Sequence, residues 1–205
     1  MILKKASYKA MKYACLKFHY AKRTPAQPMV GYSVFNKKNE WCGCIIYNNG
    51  IGAIEKPFGL QKGKVCELVR MALNGKQEKT SKCLSLSIKK FKKENKLVEM
   101  IVSYADSDEG HNGTIYKATN WFYVGSHKTG DKYICPKTGK DIHSRSHSSK
   151  GYNKQFGVYK KVYKTSDLIR IKKGVKHKFV YPLTKDMRTM CNKIKKEYIK
   201  NASIA

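Results

Sequence analysis

A strand, a glycine-rich turn, a short helix and a second strand are predicted in succession at the centre of the chain, in VEMIVSYADSDEGHNGTIYKATNWFYVG. β-Branched and alternating apolar side chains favour strands over residues 98–104 and 121–124. Residues 112–119, which follow the turn, favour a short helix. Strands that alternate with helices in this way predict an α/β layer structure.

The segments before this centre extend the same pattern. The run SYKAMKYACLKF predicts an amphipathic helix that ends before the two prolines of KRTPAQP, with His19 at its exit. Two β-rich runs over residues 32–35 and 41–47 predict a hairpin. The apolar run over residues 65–73 predicts a buried strand.

Two further helices and a last strand complete the predicted order. Leu84, Ile88 and Phe91 recur at helical spacing, and Ser81 can cap the start of that helix. KHKFVYPL predicts the last strand, and a terminal amphipathic helix follows it. We therefore predict one α/β domain over residues 1–205, with a mixed central sheet flanked by helices and a basic insertion before the last strand.

The net charge of the chain restricts its partners. The 43 Lys and Arg against 14 Asp and Glu give a formal net charge of +29 at pH 7. Because such an excess repels itself unless a polyanion or an anionic surface neutralises it, we expect a nucleic acid as the partner, and a generally lysine-rich composition is the alternative explanation. No run is long and apolar enough for a membrane span, and lysines interrupt the start of the chain. We expect no membrane association and a cytoplasmic location, and we leave a homodimer open.

The basic insertion, predicted over residues 126–178, contains 15 Lys and Arg, three Asp and no Glu. A solvated surface is the alternative explanation for this charge. The interleaved Tyr152, Phe156 and Tyr159 can wedge between bases or stack on them. The residues predicted to contact DNA phosphates are Lys140, Arg145, Lys150, Lys154, Lys160, Lys161, Arg170, Lys172 and Lys173.

The seven cysteines are scattered and form no CxxC pair, which argues against a disulfide framework and an all-cysteine zinc site. The spacing of Cys42 and Cys44 predicts that both lie on one face of a strand. In CPKTGKDIHSRSH, Cys135, His143 and His147 suggest a zinc site that lacks a fourth ligand. We favour a disordered basic loop that becomes ordered on DNA.

A phosphate-binding turn is predicted between the strand over residues 65–73 and the following helix. The helix start offers backbone amides and its dipole to an anion. An ordinary surface loop is the alternative, because no GxGxxG or Walker pattern is present. The residues placed at this predicted cofactor site are Leu73, Asn74, Ser81 and Lys82.

The block IYKATNWFYVG resembles a unit of the GNAT acyltransferase superfamily, in which a short helix ending in a tyrosine turns into the next strand. With YADSDEGHNGTIYKATN as the specific block, and HYAKRTP, ELVRMALNGKQEKTS and KHKFVYPL in support, the chain resembles the Mom family of bacteriophage DNA-modification proteins. That resemblance implies a GNAT-like fold. It also implies that the exocyclic amine of adenine in DNA is converted to a carbamoylmethyl (acetamido) form, which protects phage DNA from host restriction nucleases. Acetyl-CoA is the implied acyl source and Fe(II) the implied metal.

The same resemblance nominates an active-site group. Tyr116 would protonate the departing coenzyme A thiolate, and His19, Asp106 and Tyr116 together would form the catalytic group and the metal ligands. His111, which lies in the glycine-rich turn, is a second candidate, and Tyr32 would complete the pocket. The structural alternatives are a loop histidine, a turn-capping aspartate and a core tyrosine.

Two other functions remain open. One is a non-catalytic nucleic-acid-binding protein, and the other is an acetyltransferase of a protein or a small amine. The loop NGKQEKTS lacks the spaced glycines of ordinary acetyltransferases. A small-amine substrate would not require the large positive charge.

Overall fold

The computed structural model describes residues 1–26, 29–50, 54–155, 157–172 and 174–202, with side chains except at positions 144, 155 and 195–202. The chain divides into two compact units. The first unit comprises Met1–Ala105, Asn112–Gly125 and His177–Ala205. The second unit comprises Asp106–His111 and Ser126–Lys176.

Strands predominate over helices in the described part of the chain. The helices are α1 (Tyr8–Phe18), α2 (Thr80–Glu94), α3 (Thr114–Lys117) and α4 (Lys185–Ala202). The strands are β1 (Ile2–Lys5), β2 (Met29–Phe35), β3 (Trp41–Asn48), β4 (Val65–Leu73), β5 (Met100–Asp106), β6 (Phe122–Lys128), β7 (Lys132–Ile134), β8 (Asp141–Ile142), β9 (His147–Ser148), β10 (Tyr152–Gln155), β11 (Val158–Lys161), β12 (Tyr163–Lys164), β13 (Ile169–Ile171) and β14 (Val175–Pro182).

Seven strands form the main sheet, in the order β1-β2-β3-β4-β5-β14-β6. Neighbouring strands from β1 to β4 are antiparallel, whereas β4 and β5 are parallel. The mixed α/β architecture predicted from the sequence is confirmed. The edge strand β1 was not predicted, because four residues with two lysines give too short a pattern to separate a strand from a loop.

Helices α1 and α2 each bury one apolar stripe. The Ser7 side chain caps α1 by accepting a hydrogen bond from the Ala10 amide at 3.2 Å, as expected of a serine at a helix start. The predicted stripe of Leu84, Ile88 and Phe91 is buried beneath α2. These two stripes lie in separate core clusters that both include residues of β3.

The predicted cap of α2 is wrong. The helix begins at Thr80, so that Ser81 lies inside its first turn, and the N-cap residue Lys79 makes no side-chain hydrogen bond to the helix. The last extended residue before the helix is Lys79, so the helix starts one residue earlier than a Ser81 cap would require.

The prediction that Cys42 and Cys44 share a face is also wrong. Cys42 packs in the cluster beneath α2, whereas Cys44 packs in the cluster beneath α1. Val34 pairs with Gly43 and Phe35 pairs with Trp41, so that Cys42 is an extra residue in β3. This β-bulge breaks the alternation of side chains between the two faces of the strand.

Short strands form three small sheets with strand orders β10-β11, β12-β9 and β13-β7-β8. The loop without regular structure that we favoured for this basic segment is therefore not what the described residues show. Antiparallel pairing joins Ile169 to Ile134 and Tyr133 to Ile142, which gives the segment apolar cross-strand contacts. Positive φ angles at Gly139, Gly151 and Gly157 allow the chain to turn between these short strands.

None of the helices among the described residues contains an apolar stretch long enough to cross a bilayer.

Candidate active site

The central feature of the candidate site is the place where β4 and β5 stop pairing. The ladder joins Val65–Glu67 to Met100–Val102 and then ends, although both strands continue. On the other side of β4, Ile46 pairs with Arg70 and Tyr47 with Leu68, which leaves Val69 as a bulge residue. Beyond the last β4–β5 pair the two strands no longer bond to each other, and the Leu68 carbonyl accepts a side-chain hydrogen bond from Ser103 instead.

Tyr116 reaches this opening from α3. Its side chain is buried, its ring stacks on Phe179 with a centroid distance of 4.9 Å, and Trp121 lies 5.0 Å away. The N-cap residue of α3 is Gly113, whose φ is +79°. A Cβ added at this position would lie 2.1 Å from the Phe179 ring. Only glycine fits this position, because both its backbone angle and its close approach to the ring exclude a side chain.

The Tyr116 hydroxyl is held by Ser103. The Ser103 hydroxyl donates to the Leu68 carbonyl at 2.8 Å, just beyond the last residue pair of the β4–β5 ladder. Because a serine hydroxyl has one proton, it must accept the 2.7 Å hydrogen bond from Tyr116. The phenolic proton of Tyr116 thus points at Ser103.

The pKa of Tyr116 is raised to about 12, chiefly by burial. The charges of Tyr20 and Glu67 raise it further, and the hydrogen bond with Ser103 lowers it. A phenol with this pKa is protonated at neutral pH, which is the form required of a general acid.

His19 and Tyr20 lie at the end of α1. His19 is the C-cap residue of the helix, and its ring lies 4.2 Å from the Tyr20 ring. The Nδ1 atom of His19 accepts a hydrogen bond from the Ala21 amide at 3.1 Å. In the neutral imidazole the proton is therefore on Nε2. Tyr20 is also one of the groups that raise the pKa of Tyr116.

Asp106 and His111 belong to the second unit and are brought together there. Asp106 is the last residue of β5, its carboxylate accepts the Asp108 amide at 3.2 Å, and Lys176 lies 3.5 Å away. The His111 amide donates to the Asp106 carbonyl at 3.1 Å. Asp106 thus caps the turn that contains His111, and the catalytic roles of both stay predictions.

Tyr32 lies on β2 and is fully buried. Its hydroxyl donates to the Glu94 carboxylate at the end of α2 at 2.9 Å, and Glu94 also pairs with Lys90 at 3.0 Å. Burial, together with the hydrogen bond to Glu94, raises the pKa of Tyr32. The structure thus ties Tyr32 to α2, and its role in a pocket stays a prediction.

The predicted cofactor residues lie between β4 and the first turn of α2. Leu73 ends β4, and the Asn74 amide donates to the Cys42 carbonyl at 2.9 Å. The loop turns at Gly75, whose φ is +85°. Ser81 and Lys82 lie in the first turn of α2, whose N-cap residue supplies no side-chain hydrogen bond. Their amides are therefore available to an anion such as a cofactor phosphate.

The three predicted iron ligands are all engaged in other hydrogen bonds or ion pairs. Nδ1 of His19 accepts an amide proton, which leaves the proton on Nε2, and Tyr116 is a protonated phenol bonded to Ser103. The Asp106 carboxylate accepts an amide and pairs with a lysine. The described residues also include no group of three or more His, Cys, Asp or Glu that could hold a metal. In this arrangement the predicted set does not fit iron.

The suggested zinc ligands of the second unit are likewise engaged. The Thr138 side chain lowers the pKa of the buried Cys135 by hydrogen bonding to it. His143 accepts the Arg145 amide at 3.2 Å, and His147 is bonded to Thr165 at 3.1 Å. These side chains stabilise turns and strand ends of the second unit.

The predicted DNA-contacting residues are exposed wherever the structure describes them, and Lys173 lies outside the described residues, as does Phe156. Arg170 pairs with Asp131. The remaining exposed residues of the predicted set are Lys140, Arg145, Lys150, Lys154, Lys160, Lys161 and Lys172.

Sequence comparison decides the family. The profile of the Mom protein family matches residues 1–200. The chain belongs to the Mom protein family. No protein of curated function matches its sequence. The membership confirms the resemblance first recognised in the YADSDEGHNGTIYKATN block.

Solved structures similar to this Mom family member are acetyltransferases. NAA60 of Arabidopsis thaliana, solved with a bisubstrate analogue, is 9% identical, with 89% of this chain and 99% of that chain covered and a TM-score of 0.53. A Bacillus subtilis acetyltransferase in complex with CoA is 10% identical, with 89% and 98% covered and a TM-score of 0.46. At such low identity the likeness to NAA60 shows the fold, which is the GNAT fold that the sequence predicted.

Sequence reasoning missed three residues around Tyr116. Ser103 holds its hydroxyl, and Tyr20 and Glu67 raise its pKa. A serine inside an apolar strand is a weak signal for Ser103, because such a hydroxyl needs a partner when it is buried. No local pattern points to Glu67, since its effect depends on the packing of distant segments.

Proposed function

We propose that this protein is a transferase that modifies the exocyclic amine of adenine in double-stranded DNA, using an acyl-CoA donor. Direct acyl transfer to that amine gives N-acetyladenine, and the carbamoylmethyl (acetamido) form implied by the family resemblance would require a nitrogen donor and a two-electron oxidant besides the acyl-CoA. Either modification would protect phage DNA from restriction nucleases in the host cytoplasm. Membership in the Mom family, the GNAT fold and the net charge of +29 support this proposal.

The observation on which the chemistry rests is the buried, protonated Tyr116 beside the β4–β5 opening. When an amine attacks the thioester carbonyl and the carbon–sulfur bond breaks, the sulfur gains negative charge and needs a proton. Tyr116, with a pKa of about 12, supplies that proton from its hydroxyl, and Ser103 orients it until then. The same phenol is the residue nominated by the sequence resemblance.

The donor proposed for this step is acetyl-CoA, and the first unit offers two features that suit it. The first turn of α2 presents the amides of Ser81 and Lys82, which suit a diphosphate. The interrupted β4–β5 ladder leaves main-chain groups that can pair with an extended amide chain. Bound there, the cofactor would supply the activated acyl carbon.

DNA is the proposed acceptor because its phosphates complement the charge of a strongly basic chain. The segment between Asp141 and Asp167 contains six Lys and Arg and no acid. Such a surface neutralises phosphates without reading sequence, and the adenine must leave the base stack to be modified. The basic second unit is the proposed DNA-binding region.

The test is mass spectrometry of nucleosides from plasmid DNA recovered from cells that express the protein. We expect an adenine derivative with the wild type and at most a trace of it with Tyr116→Phe, which removes the phenolic hydroxyl and keeps the ring. The mass of the derivative distinguishes carbamoylmethyl from acetyl. Unmodified DNA from cells that contain folded wild-type protein would contradict the proposal and favour a non-catalytic nucleic-acid-binding protein.

A further inference from the structure

On one face of the β10–β11 hairpin in the second unit, tyrosines and lysines alternate along each strand and also across the strand pair. Tyr152 pairs with Lys161 and Lys154 pairs with Tyr159. Directly opposed residues of an antiparallel pair lie on the same face, as do residues two apart along one strand. These four residues form what we term the hairpin face.

The hairpin face is exposed. Tyr152 is 56% exposed and Tyr159 is 72% exposed, and the Lys154 ammonium lies 5.9 Å from the centre of the Tyr159 ring. The opposite face is tied down, because the Asn153 amide donates to the Arg145 and His147 carbonyls at 2.9 and 3.0 Å. The hairpin is therefore held from one side and presents the hairpin face outward within its unit.

The charged residues that flank the hairpin face in the sequence are all basic. No acidic residue occurs between Asp141 and Asp167. Among the described residues, no carboxylate forms an ion pair with Lys154 or Lys161. Beside β11 lies a groove of about 490 Å³, lined by Ser146, Lys160, Lys161, Val162 and Tyr163. Positive charge without a partner complements a polyanion.

The exposure of the two rings favours unpaired over paired nucleic acid. Tyr152 and Tyr159 are diagonal neighbours across the hairpin, and both rings are open to solvent. The faces of bases inside a duplex are covered by their stacked neighbours, so a protein ring can stack on a base only where that base has left the duplex stack. The lysines beside the two rings can reach the flanking phosphates.

We propose that the hairpin face binds an unpaired segment of DNA, with bases stacked on Tyr152 and Tyr159 and phosphates contacted by Lys154 and Lys161. The inference rests on the proposed function in taking DNA as the partner. It goes further by assigning an unpaired strand, and particular side chains, to the contact. Aromatic platforms combined with cations are the general means by which proteins hold single strands.

The first experiment measures binding of a fluorescent short oligothymidylate by anisotropy across a salt series. Tyr159→Ala is expected to weaken binding about 5- to 150-fold, the range given by about 1 to 3 kcal/mol per stacked base. The salt dependence of the affinity should stay unchanged, because no phosphate contact is lost. Tyr159→Phe keeps the ring and should bind like the wild type.

The matched control is Tyr8→Ala, which removes a tyrosine that is 48% exposed on α1 and should leave the affinity unchanged. Lys154→Ala and Lys161→Ala should each lower the slope of log affinity against log salt by about 0.7, the value for one phosphate of a single strand. Far-UV circular dichroism checks that each variant keeps its fold.

Equal affinities of the wild type and Tyr159→Ala would overturn the assignment, as would equal binding of an abasic oligonucleotide, which has phosphates but no bases. Failure of this assignment can be distinguished from failure of the proposed enzymatic function. Plasmid DNA without modified adenine, together with a Tyr159-dependent oligonucleotide affinity, would refute the enzyme and retain the hairpin face.

Discussion

The tyrosines proposed to act in catalysis and in DNA binding lie in opposite environments in the two units. In the first unit Tyr116 is 6% exposed, and neighbouring groups fix its hydroxyl within a network of hydrogen bonds. In the second unit Tyr159 is 72% exposed, and the Lys154 ammonium of the opposite strand lies over its ring. Chemistry at a thioester requires a positioned proton, whereas binding of a polyanion requires accessible rings and charge.

This contrast predicts that substitutions in the two units change different measurable quantities. A change in the first unit should alter the rate of modification at saturating DNA, and one in the second should alter the affinity for DNA. Glu67 and Ser103 show how closely the first site depends on packing, because each acts on Tyr116 from a different strand. The affinity for DNA proposed for the second unit depends instead on many exposed charges, whose contributions add.

The largest effect is expected for Tyr116→Phe. Loss of the phenolic proton should lower the single-turnover rate of adenine modification by about 10²- to 10⁴-fold, the usual contribution of a general acid. The affinity for DNA should remain that of the wild type. A rate and an affinity measured on one duplex separate the two effects, and a parallel loss of affinity would break the proposed division between the units.

Gly113→Ala is expected to destabilise the protein by about 2 to 4 kcal/mol, because the new methyl group meets the Phe179 ring and the residue keeps a positive φ. Chemical denaturation measures the change. Gly110→Ala is the matched control, since Gly110 also has a positive φ, +69°, but no atom lies within 4 Å of an added Cβ. It should cost only about 1 to 2 kcal/mol. Equal losses would show that Phe179 relaxes at no cost.

The first unit could be predicted from the sequence to the level of its elements. The periodicity of Leu84, Ile88 and Phe91 gave α2, and the β-branched runs gave β2 to β5, because a buried face imposes a regular pattern. The position of Tyr116 came from the family resemblance. Local pattern and family motif together were sufficient for the fold and for this residue.

The rest depended on contacts between distant segments. The bulge at Cys42 exists because β2 pairs with β3 out of register at one point, and no local pattern encodes that shift. The bond between Ser103 and Leu68 requires β4 and β5 to meet and then separate. In the second unit the strands are short and exposed, so burial leaves little periodic signal in their sequence.

Substitution of three lysines of the second unit tests whether the positive charge of that unit contributes to the affinity for DNA. The triple variant Lys140→Ala, Lys150→Ala and Lys172→Ala should lower the slope of log affinity for duplex DNA against log salt by about 2.7 if each contacts one phosphate. The affinity near physiological salt should fall about 10- to 100-fold, and equilibrium titration over a salt series measures both quantities.

The matched control for the lysine triple lies on α2. Lys89, Lys92 and Lys93 are exposed there, and their replacement by alanine removes the same charge from the first unit. We expect a change in slope well below that of the second-unit variant. If both triples weaken binding equally, the chain binds DNA through its total charge, and the contrast between the units does not extend to DNA.

The smallest effect concerns the alkaline stability of the first unit. Folding raises the pKa of Tyr116 from 10.0 to about 12, so the folded protein retains a proton that the unfolded chain loses between these values. The resulting stabilisation is complete below pH 10 and declines as the pH rises towards 12. Between pH 9 and pH 11 the wild type should therefore lose on the order of 1 kcal/mol more than Tyr116→Phe, measured by denaturation at each pH. Parallel pH profiles for the wild type and Tyr116→Phe would mean that Tyr116 ionises as it does in the unfolded chain, and the chemical contrast between the buried and the exposed tyrosine would then be lost.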